Sequence, residues 1–343
     1  MLDIREAIRY VTSGNDLEKK QMISVMRSIM LGQTTDAQNA AFLVGLQMKG
    51  VKSDELLGGA TVMRELSTKV NVEPGPYLVD TCGTGGSGSN KFNVSTAAAI
   101  VAASAGARVA KHGNRGATST SGSADVLEAA GVRLTLEANK VAMAIEQIGV
   151  GFMFAPAHHS AMKHVIAARK EIGVRTIFNL LGPLTNPAGS PNQIIGVFDP
   201  VWIPTFLEVL RELGSNHVMI VSADDGLDEI SIASETQVGE LKGGKVTTYT
   251  ISPSDFGIEQ YPDCSSLQIN SAEESLVMLK QAFANENQPA AEIVALNAGA
   301  AIYVANLCED LLAGVTKARE VLESGIAQEK FDQLVQFTQM ADG

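Results

Sequence analysis

Cysteine is scarce: the 343 residues hold three, Cys82, Cys264 and Cys308. An odd number, with no C-x-x-C pair and no Cys/His spacing, excludes both a disulfide framework and a structural zinc site, and leaves reduced thiols. Positive charge is short as well. Twenty-six cations against 38 acids leave a net charge of −12, and the aromatics, only 5% of the chain, interleave with no basic run. Such a surface repels nucleic acid, so no nucleic-acid partner is expected. Apolar stretches are all shorter than the roughly 20 residues that span a bilayer. The opening residues Leu2, Ile4 and Ile8 are spaced as one face of a helix, unlike the unbroken apolar core of a signal peptide. A cytoplasmic protein without a membrane partner is expected, so the sequon Asn93-Val94-Ser95 carries no meaning.

What is abundant is apolar sequence, 45% over a length greater than one core usually fills, so two subdomains are the expectation. From residue 4 to about 70 the periodicity is helical, with starts at Thr34-Thr35-Asp36 and Lys52-Ser53-Asp54-Glu55 and breaks at Gly14, Gly32 and Gly50. After Pro74-Gly75-Pro76 short β-branched runs at 77–80, 108–111, 151–154, 193–198 and 217–222 alternate with helical stretches. That alternation predicts an α/β fold with a mostly parallel central sheet flanked by helices. Helices return at about 272–285, 290–307, 311–324 and 327–340. The expected organisation is a small all-helical domain over 1–72, joined by helices from about 158–190, and an α/β domain over 73–343.

The richest stretch is 80–96, D-T-C-G-T-G-G-S-G-S-N-K-F-N-V-S-T. Glycines at 83, 85, 86 and 88 allow positive φ and close approach of a ligand, and Ser95 and Thr96 open a small-residue helix whose free N–H groups favour an anion. A phosphate-bearing ligand is implied. The run also satisfies the G-x-G-x-x-G pattern of dinucleotide folds, yet the next strand ends in Lys111-His112-Gly113-Asn114-Arg115, where such folds place a carboxylate. A second glycine and hydroxyl loop follows at 111–123. In a parallel sheet both loops lie at the carboxyl ends of strands, so Lys111, Asn114, Ser119 and Ser123 can meet Asn93, Ser95 and Thr96 around one anion. Taken alone, the second loop also reads as solvated surface.

Asp228-Glu229 offers adjacent carboxylates on a loop after the 217–222 strand, the hard oxygen donors that magnesium shares with substrate phosphates. Asp224 and Asp225 read as surface acids. His158, His159 and Arg169 are expected on one helix, and their spacing fits no ordinary zinc pattern.

In order, G-T-G-G, N-V-S-T, K-H-G-N-R, S-G-S-A-D-V-L-E, F-A-P-A-H-H, N-L-L-G-P-L-T-N-P and D-G-L-D-E-I run along the chain. The combination resembles the anthranilate phosphoribosyltransferases over essentially the whole length. The resemblance implies transfer of phosphoribosyl from 5-phosphoribosyl 1-diphosphate (PRPP) to the amine of anthranilate, in tryptophan biosynthesis. It implies PRPP contacts at Gly83, Gly86, Ser87, Lys91, Asn93, Val94, Ser95, Thr96, Lys111, Gly113, Asn114, Arg115, Gly116, Ala117, Thr118, Ser119 and Ser123. It implies anthranilate contacts at Gly83, His112, Asn114, His159, Arg169, Gly182 and Pro183, and two Mg2+ ions held through Ser95, Asp228 and Glu229. His112 is the candidate proton acceptor, and no protein nucleophile is expected. A homodimer through the helical domain is implied as well. Ser87 stands where the family commonly has Asp, and Lys91 where it has Thr or Ser; the expectation from Coulomb attraction is tighter binding of a polyanion and, as a hypothesis, less demand for magnesium. The alternative is a pyrimidine nucleoside phosphorylase of similar architecture; a non-catalytic nucleic-acid-binding relative is opposed by the −12 charge.

Overall fold

The computed structural model describes residues 2–85, 88–116 and 119–341. Four helices come first: α1 (Ile4–Thr12), α2 (Lys19–Met30), α3 (Asp36–Lys49) and α4 (Ser53–Leu66). Their starts are written locally. Asp3 accepts from the N–H groups of Arg5 and Glu6 while Glu6 accepts from the N–H of Asp3, and Thr35 and Gln38 make the same reciprocal cap on α3. Glu55, fully buried, accepts from Lys52 N, Leu17 N and Lys49 Nζ, so one carboxylate fixes the start of α4 against the start of α2.

A seven-stranded sheet follows, in the order β3-β2-β1-β4-β5-β6-β7. The strands are β1 (Leu78–Gly83), β2 (Arg108–Gly113), β3 (Val150–Phe154), β4 (Asn192–Gly196), β5 (His217–Ala223), β6 (Thr236–Lys242) and β7 (Lys245–Ile251). The first five are parallel and the last two antiparallel. Connecting helices are α5 (Val94–Ser104), α6 (Ser123–Ala129), α7 (Ala138–Gln147), α8 (Ala155–His158), α9 (Lys163–Ile172), α10 (Ile177–Leu181) and α11 (Ile203–Glu212). The chain closes with α12 (Ala272–Phe283), α13 (Gln288–Val304), α14 (Leu311–Ser324) and α15 (Ile326–Met340).

The alternating side chains of β4 and β5 divide between two cores. Ile194, Met219 and Val221 pack among α5, α12, α13, α14 and α15, whereas Ile195, Val218 and Ile220 pack with α11 and the N-terminal helices. Both faces are covered, as a parallel sheet requires. α9 and α10 lie against α2, α3 and α4, which carries a segment from the middle of the sequence into the helical layer.

Two expectations need correction. The β6–β7 hairpin was not anticipated; its signal was Gly243-Gly244 between alternating stretches, and both glycines take positive φ, 55° and 80°. His158, His159 and Arg169 do not share one helix. His158 ends α8, His159 takes φ −119°, ψ 58°, and a 3-10 turn over Ser160–Met162 precedes α9, which carries Arg169. The break turns the two histidines inward while Arg169 stands a helix away.

Candidate active site

The strand order reverses direction at β1, with β2 on one side and β4 on the other. Open α/β sheets bind ligands at the carboxyl ends beside such a switch. There the chain forms a cavity of about 350 Å³. Its floor comes from the ends of β1 and β2, one wall from the N-terminus of α5, a second from the 228–229 loop, and its far rim from Arg169, Arg175, Phe178, Asn179, Gly182 and Pro183.

Of the residues expected at a PRPP site, Gly83, Lys91, Asn93, Val94, Ser95, Lys111, Gly113, Asn114, Arg115, Gly116, Ser119 and Ser123 line the cavity, as do Asp228 and Glu229. Thr96 is buried behind the wall. Gly86, Ser87, Ala117 and Thr118 lie outside the described residues. For the aromatic, Gly83, His112, Asn114, Arg169, Gly182 and Pro183 line the same space, and His159 sits behind His112 with ring centroids 5.2 Å apart.

The two glycine loops are tied together. Asn93 Oδ1 accepts from Ser121 Oγ (2.9 Å) and Ser275 Oγ (2.8 Å), Asn93 Nδ2 donates to Ser121 O (3.2 Å), and Thr120 N donates to Asn90 Oδ1 (3.1 Å). Asn93 thus holds loop to loop and both to α12. Gly122 is required by close approach: a Cβ there would meet the backbone of Asn114, Arg115 and Gly116. Arg115 is already engaged, gripping Glu128 with both Nη atoms (2.6 and 2.9 Å) and Asp125 (3.0 Å). Its guanidinium braces the second loop against α6.

Lys111 is buried on β2. Its Nζ donates to Thr81 O (2.6 Å) and to Ser95 Oγ (3.3 Å), which aims the charge at the first turn of α5. Burial lowers its pKa, opposed by the nearby carboxylate of Asp80. Asp80 is itself fully buried and accepts from His112 N (3.1 Å); burial raises its pKa. The strand sequence Asp80-Thr81 therefore sets both Lys111 and His112, a role that the short apolar reading of 77–80 missed.

Glu229 is largely buried, and its carboxyl is pushed up to about 7. Withdrawal from solvent is the main cause and the charge of Asp228 the second; Lys91, Lys111 and the N–H of Ser95 oppose them. A carboxyl under that pressure is relieved by a cation. Among the described residues no third His, Cys, Asp or Glu completes a metal cage. Two carboxylates with a serine hydroxyl nearby suit Mg2+, which takes one or two protein carboxylates and fills its shell with water and phosphate. The loop can sit this close because two strand ends are glycine: a Cβ on Gly83 would come within 2.9 Å of Asp228 Oδ2, and one on Gly196 would overlap the Asp228 carbonyl.

On the rim, the Arg169 guanidinium lies 5.2 Å from the centroid of Phe178, with its pKa lowered by burial, and Arg175 lies 4.2 Å from the centroid of Phe198. Arg175, Phe178 and Phe198 were not anticipated; the cue for the first two was their position in R-T-I-F, directly before N-L-L-G-P, whose Asn179 also lines the cavity. His112 is held neutral, well below its ordinary pKa, first by burial and then by His159, His158 and Lys111, and His159 falls to about 4 for similar reasons.

A helical bundle joined to a mostly parallel sheet, with a cleft at the switch point, is the architecture of a glycosyl transferase family, and the family models match it. Residues 5–67 match the glycosyl transferase family helical bundle domain and residues 75–328 the glycosyl transferase family a/b domain. Over 341 residues the chain is 56% identical to the anthranilate phosphoribosyltransferase of Teredinibacter turnerae, covering 98% of this chain and 99% of that one. The anthranilate phosphoribosyltransferase of Thermus thermophilus superposes with a TM-score of 0.91 at 41% identity, covering 97% and 99% of the two chains. That of Saccharomyces cerevisiae, solved in complex with PRPP and Mg, superposes at 0.89 with 26% identity, covering 98% of each. The chain belongs to the anthranilate phosphoribosyltransferase family.

Proposed function

We propose that this protein transfers the phosphoribosyl group of PRPP to the amine of anthranilate, giving N-(5-phosphoribosyl)anthranilate and diphosphate, in tryptophan biosynthesis. The observation that carries the reading is a single cavity in which an anion-holding half, with Lys111 and the start of α5, faces an acceptor half with Arg169. Relatives matching the whole chain remove the pyrimidine nucleoside phosphorylase alternative.

The donor sits with its phosphates against the two loops, where Lys91, Ser95, Lys111, Asn114, Ser119 and Ser123 face the cavity. Asn93 and Arg115 act by holding those loops in place. Asp228, Glu229 and Ser95 would hold Mg2+, two ions on this reading, which would supply positive charge to offset that of the departing diphosphate. Breaking the C1′–oxygen bond places positive charge on the ribose and negative charge on the leaving group. The fixed donors stabilise the latter most when that charge is greatest.

Arg169 meets the acceptor carboxylate, since a guanidinium fork binds such a group through two charge-assisted hydrogen bonds. Gly182, Pro183 and the neutral ring of His112 flank the aromatic face. An aromatic amine attacks as the neutral species, so its proton leaves only after the C–N bond forms. His112 Nε2 is buried without a partner among the described residues, and the neutral ring has one nitrogen free to accept a proton. The low pKa is no obstacle, because the N-protonated product is a stronger acid still.

Residues 1–72, with helices from about 158–190, act as the body that brings the acceptor to the α/β domain over 73–343, which holds the donor. Apolar side chains left exposed on the helical layer, such as Leu31 and Met48, support a homodimer through it. No helix among the described residues is long and apolar enough to cross a membrane. The test is loss of anthranilate fluorescence with PRPP and magnesium; no loss, with phosphorolysis of thymidine or uridine in its place, refutes the reading.

A further inference from the structure

One charged group at the cavity is unaccounted for. Lys91 is anchored at its backbone, paired antiparallel with Gln268, and its neighbours are tied by Phe92 N to Leu267 O (3.1 Å) and Ile269 N to Asn90 O (2.9 Å). Lys91 lines this cavity and an adjoining one bounded by Asp225 and Cys264; its Nζ is buried, and among the described residues nothing accepts a hydrogen bond from it. Every other cation facing the cavity has a described interaction: Lys111 with Thr81 and Ser95, Arg115 with Glu128, Arg169 with Phe178 and Arg175 with Phe198. An ammonium with three donors and no acceptor, withdrawn from water, is destabilising on its own. The ligand that fills the cavity must provide the missing oxygens.

We propose that Lys91 is a built-in cation for the diphosphate moiety, so that this chain binds inorganic diphosphate without any metal ion. The inference rests on reading the cavity as a PRPP site and goes beyond it. Lys91, Asp228 and Glu229 all line the one cavity, so the ammonium and the acidic pair border the same space. There it can meet phosphate oxygens directly, a task otherwise left to Lys111 and to a metal that the acidic pair would hold. The chain therefore carries one permanent positive charge at the leaving group and relies on dissolved magnesium only for the rest.

Calorimetric titration of inorganic diphosphate into the full chain in EDTA reads this directly. Wild type binds; Lys91→Met weakens binding by at least about tenfold, the worth of one charge-assisted hydrogen bond, and Lys91→Arg retains most of the affinity. In EDTA, diphosphate also raises the melting midpoint of wild type, and that shift vanishes in Lys91→Met. The midpoint of the unliganded variant does not fall, because an unpaired buried charge has been removed. If Met is poorly tolerated, Lys91→Gln gives the same comparison. Equal affinities for wild type and variant in EDTA, or no binding by wild type until magnesium is added, overturns the proposal. The transfer assay separates the two readings. Transfer with Lys91-independent diphosphate affinity sinks this inference alone, and metal-free diphosphate binding without transfer sinks the acceptor assignment alone.

Discussion

Gly196 is the position at which a single methyl group should do most harm. It ends β4, and a Cβ built there would overlap the carbonyl oxygen of Asp228, lie 2.5 Å from the carbonyl carbon and 3.2 Å from the Cα. Non-bonded carbons in contact sit about 3.5–4.0 Å apart, and all three obstructing atoms are backbone, so no rotamer relieves the clash. The loop must retreat by about 1 Å or more, carrying Asp228 and Glu229 with it. Misplacement on that scale costs about 100-fold in rate, or about 2.7 kcal/mol of transition-state stabilisation. Gly196→Ala should therefore lower kcat/KM for PRPP about 100-fold and raise the magnesium concentration at half-maximal rate, with overpacking costing about 1–3 kcal/mol in stability. Gly83→Ala is the control. Its Cβ meets the end of a side chain, Asp228 Oδ2 at 2.9 Å, which can swing aside, so the loss should be several-fold smaller. The assay is anthranilate fluorescence across a magnesium series, with a thermal melt to show that each variant is folded. A Gly196→Ala enzyme within threefold of wild type and unchanged in magnesium dependence would refute the reasoning.

Arg169→Ala should raise KM for anthranilate by about 30-fold or more while leaving KM for PRPP within a few-fold, since a bidentate charge-assisted contact is lost; initial rates against each substrate decide it. Glu240 gives a pH prediction. Burial works against its charge, but hydrogen bonds from His217, Tyr303 and Tyr249 hold its pKa down at about 2, below an ordinary 4.5. Its stabilisation, about 3 kcal/mol, is present above pH 4.5 and is lost as the pH falls toward 2. Urea unfolding of Glu240→Gln between pH 7 and pH 3 should show lower stability at neutral pH and a flatter acid limb. Glu55→Ala leaves the N–H groups of Leu17 and Lys52 without their acceptor, while Lys49 keeps Asp16 (2.8 Å) and Gly50 O (2.9 Å), and should cost about 2–4 kcal/mol by urea denaturation.

The parts of this molecule that were legible in the sequence are those encoded locally. Caps at Thr35 and breaks at Gly14, Gly32 and Gly50 mark helix ends through backbone conformation that a single residue controls. The five parallel strands announced themselves by apolar runs, because both their faces are buried. The hairpin edge did not. β7 is mostly exposed and reads K-V-T-T-Y-T-I, so burial contributes little to its pattern. The cavity residues reached through motifs were those on the glycine loops and the acidic turn. Gly196 could not be read, because its glycine is demanded by a loop 32 positions away. Asp80 was hidden likewise: a buried carboxylate within an apolar strand makes sense only once Lys111 and the backbone of His112 lie beside it. The His158-His159 break depended on a φ, ψ pair that neither histidine specifies on its own.

The Gly243-Gly244 turn offers a practical handle. It faces solvent beside Lys242 and Lys245, at the end of the sheet where β5 begins, whereas the acidic turn lies beyond the end where β5 finishes. Seven residues of β6 separate the two, about 20 Å at strand rise. A fluorophore, an affinity peptide or a surface-coupling cysteine grafted into that turn would report on or immobilise the enzyme from its back, leaving the catalytic mouth unobstructed.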